Sequence, residues 1–281
     1  MFSPIIFWPC FAGLVVLLIG LFTARKEFSA AIGVDKIAAL AGVFYAAPLA
    51  VFGAEHLVAG QAISQGVPPW MPGRLYWAYF VGIALIFAAL SIVLTMQVRL
   101  TGTLLGIMFI LFVLMIHVPN VAANPKNRIF WALVFRDLCF AGGGWCLAGR
   151  IAIGRFCIGI PLLVFAAEHF LHPEFVPGVP LGKMIPAWVP YPPAIGYLTG
   201  VALLAAGVLI LIDKHTRTAT IWLGLLITLE VLFLYLPILI MASGAGPLTE
   251  GENYVADTLL FGGTILLLAG TDVVRRASKK A

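Results

Sequence analysis

The sequence predicts an all-α polytopic membrane protein: two parallel four-helix bundle repeats behind one N-terminal transmembrane helix, about nine spans in all. Three observations carry that expectation. Hydrophobic residues make up 62% of 281 residues and charged residues only 10%, where a soluble domain carries roughly 25% charged residues. Apolar runs long enough to cross ~30 Å of hydrocarbon recur along the whole chain. Finally, Pro48-Leu-Ala-Val-Phe-Gly-Ala-Glu55-His56-Leu57 returns as Pro161-Leu-Leu-Val-Phe-Ala-Ala-Glu168-His169-Phe170, the most similar stretch of a longer internal duplication.

Taken in order, the expected spans are 4–22, 37–58, 75–96, 100–118, 128–148, 151–171, 193–212, 217–241 and 253–273. The first begins without a basic n-region or a small-residue cleavage site, so it reads as a retained span. Between 148 and 151 only a tight turn fits, marked by Gly149 and Arg150. The resulting units are 1–36 (first span and cytoplasmic loop), 37–150 (first four-helix unit) and 151–281 (second unit with a basic tail).

Lysine and arginine set the orientation. One side collects Arg25, Lys26, Lys36, Arg99, Arg150, Arg155, Lys214, Arg217, Arg275, Arg276, Lys279 and Lys280; the other holds Arg74, Lys126, Arg128 and Lys183. The positive-inside bias therefore predicts an outer N-terminus and a cytoplasmic C-terminus. The net charge of +5 is read as this topology signal. No basic cluster interleaved with aromatics points to nucleic acid.

The duplication extends past the Glu-His segment. The two segments lie 113 residues apart, and after them an offset of 118 aligns the halves. Trp70 with Pro72 then falls on Trp188 with Pro190, Arg99 on Arg217, and His117 with Pro119 on Tyr235 with Pro237. Two further residues of offset bring Asp137, Gly142 and Gly143 onto Asp257, Gly262 and Gly263. An even number of spans per unit leaves both units facing the same way, related by an axis along the membrane normal.

Ionisable groups inside apolar helices are costly and mark candidate sites. Glu55-His56 and Glu168-His169 close the second and sixth spans at the outer side. Asp137 and Asp257 lie in the outer halves of the helices that close each unit, and His117 and Tyr235 end the helices before those. Each unit could thus build an outward polar cup, with Pro48 and Pro161 kinking the helix below it. The Pro-rich loops bearing Trp70 and Trp188 would cover the cups. Each group also has a plainer reading: carboxylates meeting headgroups, histidines bonded to a carboxylate, tryptophans as interfacial anchors. The halves differ at Arg136, matched by Ala256, and at Glu230, matched by Phe112. Adjacent on a helix, Arg136 and Asp137 point ~100° apart, so Arg136 is expected to pair with Glu55 or Glu230.

Metal binding is not expected: no HxxxH or ExxH spacing occurs, and the i, i+4 pair Glu168–His172 has Ala59 at its first-half counterpart. The four cysteines, Cys10, Cys139, Cys146 and Cys157, form no CxxC and read as small buried hydrophobes. Neither a nucleophile triad nor a phosphate loop is visible.

The order Glu-His, Trp-x-Pro, Asp-x-x-x-x-Gly-Gly within a four-helix unit resembles the DoxX-like membrane proteins, and the resemblance covers about residues 37–273. It implies a tandem fusion of two such units in a bacterial cytoplasmic membrane. Some members of that group are membrane subunits of thiosulfate:quinone oxidoreductase, and others associate with oxidative-stress or thiol-handling partners. Three activities are therefore expected as alternatives. The first is a non-catalytic or accessory subunit working beside a redox partner protein. The second is a quinone-linked subunit, with His56 and His169 hydrogen-bonding quinone carbonyls and the carboxylates relaying protons. The third is a carrier of a small solute or lipid in contact with the bilayer.

Overall fold

The computed structural model describes residues 4–270; its regular elements there are all helices, and one isolated antiparallel bridge joins Phe175 and Met184. Nine long helices follow one another: α1 (Pro4–Ala30), α2 (Ala41–Val58), α3 (Arg74–Val93), α4 (Val98–Ala123), α5 (Arg128–Leu147), α6 (Ile151–Leu171), α7 (Pro192–Leu211), α8 (Thr216–Met241) and α9 (Ala245–Leu267). The first eight are long and apolar enough to cross a membrane. Large apolar side chains such as Phe22, Phe87, Leu198 and Phe233 stand exposed on their outer faces, as lipid-facing surface requires. The chain is a multi-pass helical membrane protein.

The ninth expected span needs correction in its bounds and character. Helix α9 begins at Ala245, not at 253, and carries Glu250, Glu252 and Asp257, so it is too polar to join the apolar eight. Its placement explains the difference. It packs against α2, α5 and α8 and touches α1, and nearly every residue from Ala256 to Ala269 is buried. A helix walled by protein need not match lipid. Helix α1 is also longer than expected, running on to Ala30. The basic tail Arg275, Arg276, Lys279 and Lys280, with the last residues of the expected ninth span, lies outside the described residues.

The packing order is reciprocal. Helix α2 lies against α3 and α9, α6 lies against α7 and α5, and α5 and α9 meet each other. Glycines set the close approaches. A Cβ on Gly263 of α9 would lie 2.4 Å from the backbone nitrogen of Tyr45 in α2, so only glycine fits. On the other side of Tyr45, its phenol donates to the carbonyl of Phe140 in α5 at 2.8 Å. Tyr45 thereby ties α2 to both central helices.

Helices α4 and α8 share one irregularity. Each widens into a single π-helical turn, Val113–His117 and Val231–Tyr235, just before Pro119 and Pro237. A proline has no N–H to offer, and its ring clashes with the carbonyl four residues earlier. The wider turn relieves that clash, and such turns recur at functional sites.

Candidate functional site: an apolar cavity with a charged end

A cavity of about 720 Å³ lies mainly among the helices of the first half, where α2 and α4 finish and α3 and α5 begin, with α9 and Leu181 completing its wall. Its walls are mostly apolar: Phe52 of α2, Leu85 of α3, Met108 and Met115 of α4, and Phe140 of α5. Phe80 of α3 and Leu111 of α4 line it as well, although they are 61% and 45% exposed. Side chains that face both the cavity and the outer surface mark its mouth. Exposed apolar side chains of α3 and α4 thus reach the cavity's edge.

Polar groups line it too: His56, His117, Arg136, Asp137, Asn253 and Asp257. Arg136 donates through Nε to Asp137 Oδ1 at 2.9 Å and through Nη1 to Asp257 Oδ2 at 3.1 Å. Both aspartates are buried, 3% and 5% exposed. His117 Nε2 bonds Asp137 Oδ2 at 2.9 Å, while its Nδ1 is buried with no partner. This chain of contacts joins the closing helices of both halves through one guanidinium. Two carboxylates, a single arginine and a histidine then leave the cluster short of positive charge whenever the imidazole is neutral. A fork of N–H donors between two carboxylates is the geometry that makes arginine suited to buried pairing.

The expected partner of Arg136 was Glu55 or Glu230, and both are corrected. Adjacency on the helix does not keep Asp137 away, because the guanidinium curls back to it through Nε. Glu55 instead faces Glu252 and Asn253 of α9, and Glu230 lies in the second half, accepting from Thr199 Oγ1 at 2.5 Å. The two expected cups are therefore not separate: Asp137 and Asp257 belong to one network.

The cover over the cavity also differs from expectation. Trp70 is 71% exposed and does not line it; Val67, Pro68 and Met71 of the same loop do. Trp188 is likewise exposed, while its neighbours Ile185 and Val189 pack into a small core with Tyr235 and Tyr254.

In the second half the corresponding volume is filled from within. The connection between α6 and α7 folds inward, and Val176 and Val179 are buried. Gly178 donates its N–H to His169 Nε2 at 3.1 Å. A Cβ on it would lie 3.5 Å from Glu230 Oε2. The phenol of Tyr235 donates to the carbonyl of Pro177. His169, Ile227, Glu230 and Tyr235 occupy the positions of His56, Phe109, Phe112 and His117, all four of which line the first-half cavity. The loop is pinned from the first half by Arg128 of α5, which donates to the carbonyls of Pro180 and Leu181 at 2.9 and 2.8 Å. Arg128 also reaches Glu168 at 3.3 Å and stacks over Phe175. Leu181 continues into the wall of the first-half cavity.

Sequence reasoning missed Arg128, Asn253 and the inward course of the loop 172–191, which it read only as a cover bearing Trp188. One signal for the loop was present: the rise in offset from 113 to 118 falls in this connection. Among the described residues, no group of three His, Cys, Asp or Glu side chains could hold a metal ion. Comparison with protein-family models, curated proteins and solved structures finds no match.

Proposed function

We propose that this chain binds one membrane-soluble amphiphile in the first-half cavity, its head against the Arg136 cluster and its tail leaving between α3 and α4. The observation that carries the reading is the pairing of charged, hydrogen-bonding groups with an apolar wall whose edge includes the exposed apolar side chains Phe80 and Leu111. An apolar wall with a few polar groups is common to ligand pockets; the exposed apolar side chains at its edge, on helices long and apolar enough to cross a membrane, favour a membrane-soluble ligand. The expected lipid-binding and quinone-linked alternatives thus join into one binding role, with quinones one head-group class that fits the volume.

Two repeats of a DoxX-like unit, related by an axis along the membrane normal, form the scaffold in this proposal. Support comes from the reciprocal packing of α2 on α9 and of α6 on α5, and from the matched π turns. The lysine and arginine distribution supports an outer N-terminus and a site near the outer face of a bacterial cytoplasmic membrane. The resemblance adds an accessory role, in which the bound molecule is held for a redox partner protein.

The test is extraction and mass spectrometry of small molecules retained by protein purified in mild detergent. One lipid-soluble species should be retained in near-stoichiometric amount, and Met108→Trp, which fills the cavity, should remove it. Equal retention by the Met108→Trp protein would refute the site.

A further inference from the structure

Building on the cavity as an amphiphile site, we infer that the head group of its ligand carries a hydrogen-bond donor, an O–H or N–H, received by His56 Nε2. It also carries an oxygen acceptor, received by Arg136.

The donor requirement follows from the other ring nitrogen. His56 Nδ1 lies 2.7 Å from the carbonyl of Phe52, one turn back on α2. A carbonyl oxygen only accepts, so Nδ1 carries the proton, and Nε2 of the neutral ring is left with a lone pair. His56 faces the cavity, so what meets it there must donate. This reverses the expectation that His56 would donate to a quinone carbonyl.

The second half shows the same arrangement with its partner in place. His169 Nδ1 bonds the carbonyl of Phe165 at 2.6 Å, and its Nε2 accepts the N–H of Gly178 at 3.1 Å. Phe165 and His169 repeat Phe52 and His56 in the duplicated segment. The loop tip supplies from within the chain the donor that the first half lacks.

The acceptor requirement comes from Arg136. Its Nε and Nη1 are engaged by the two aspartates, and Nη2 makes no hydrogen bond among the described residues. The guanidinium lines the cavity, so Nη2 presents its N–H groups to an incoming oxygen. A head group that carries both a hydroxyl and a separate oxygen acceptor satisfies both residues. A hydrocarbon head or a quaternary ammonium satisfies neither.

The experiment compares two probes that differ only in the donor: decylubiquinol, kept reduced under argon, and decylubiquinone. Both are titrated into the full chain in nanodiscs. The quinol should bind about tenfold tighter, the worth of one ordinary hydrogen bond. In His56→Leu that preference should fall to about onefold while quinone is still bound, which also shows that the variant is folded. Equal binding of the two probes by the natural protein would overturn the donor requirement and leave the cavity reading standing. A preference that survives His56→Leu would overturn the role of His56. Binding of neither probe, with no other amphiphile retained, would overturn the cavity reading and this inference with it.

Discussion

The two halves of the sequence align through their Glu-His, Trp-x-Pro and Asp-Gly-Gly positions and part company over one loop. In the first, the connection between α2 and α3 forms two short helical turns, Gly60–Ile63 and Ser64–Gly66, and stays at the rim. In the second, the connection between α6 and α7 is five residues longer, as the change of offset from 113 to 118 records, and its tip enters the bundle. Around that tip the walls have changed to suit: His117 becomes Tyr235, which bonds the loop, and Phe112 becomes Glu230, which faces it. The comparison teaches that helix packing fixes where site groups stand, while loop length decides whether the space between them is core or cavity.

The strongest way to break the comparison is to delete Val176–Pro180, giving the second connection the length of the first. Two fully buried valines are lost, at ~1.5–3 kcal/mol each, and His169 and Tyr235 lose their partners. A large drop in the melting temperature in detergent is expected, offset when the ligand is added, with binding rising from one site to two. An unchanged stoichiometry would mean that the second half is not a closed version of the same site.

Removing the guanidinium that joins the halves should cost nearly as much. Arg136→Ala leaves Asp137 and Asp257 buried without their cation, which typically costs about 3–5 kcal/mol. Adding Asp137→Asn and Asp257→Asn should restore most of the melting temperature but not ligand binding. Failure of that rescue would separate the destabilisation from charge burial.

A smaller effect tests the reciprocal packing. Gly263→Ala drives a methyl into the backbone of α2, whereas Gly142→Ala meets first a side-chain carbon of Ile158 in α6, at 2.7 Å. Backbone yields less than a side chain, so Gly263→Ala should lose about 1–3 kcal/mol and Gly142→Ala less, as read by thermal unfolding. Equal losses would contradict the tighter approach of α9 to α2.

The smallest effect lies at the far end of the bundle. Asp213, between α7 and α8, pairs with Arg155 at the start of α6. The hydrogen bond from Arg155 holds its carboxyl below the usual aspartate value, with the positive charge adding to it. A depressed carboxylate stabilises the fold above its unfolded value and loses that contribution as pH falls through the folded value. Arg155→Gln should therefore flatten the slope of melting temperature on the acid side of the ordinary aspartate range, by a small, salt-sensitive amount. The first-half counterparts are Gly42 and Thr95, which carry no charge, so this acid-side contribution belongs to the second half alone.

Much of the fold was legible because membrane spans announce themselves by length and composition. Eight of nine segments could be placed to within a few residues at most ends. Helix α9 was legible as a helix but not as an interior one, because its burial depends on α2, α5 and α8 closing around it. The site divides the same way. His56, His117, Arg136, Asp137 and Asp257 were visible as ionisable residues where lipid would penalise them. Their partners were not, since helical spacing fixes the direction of a side chain's first bonds and not where a long guanidinium ends.

The sequence by itself determined that this chain crosses a membrane many times, that its second half echoes its first, and that a handful of charges must be sheltered. Those are consequences of local chemistry: transfer cost, period and composition. Only the tertiary structure decided that Arg136 serves both aspartates and that one half encloses a cavity while the other swallows its own loop. These depend on which helices meet, and contact across long sequence separations is not encoded in any single stretch of residues.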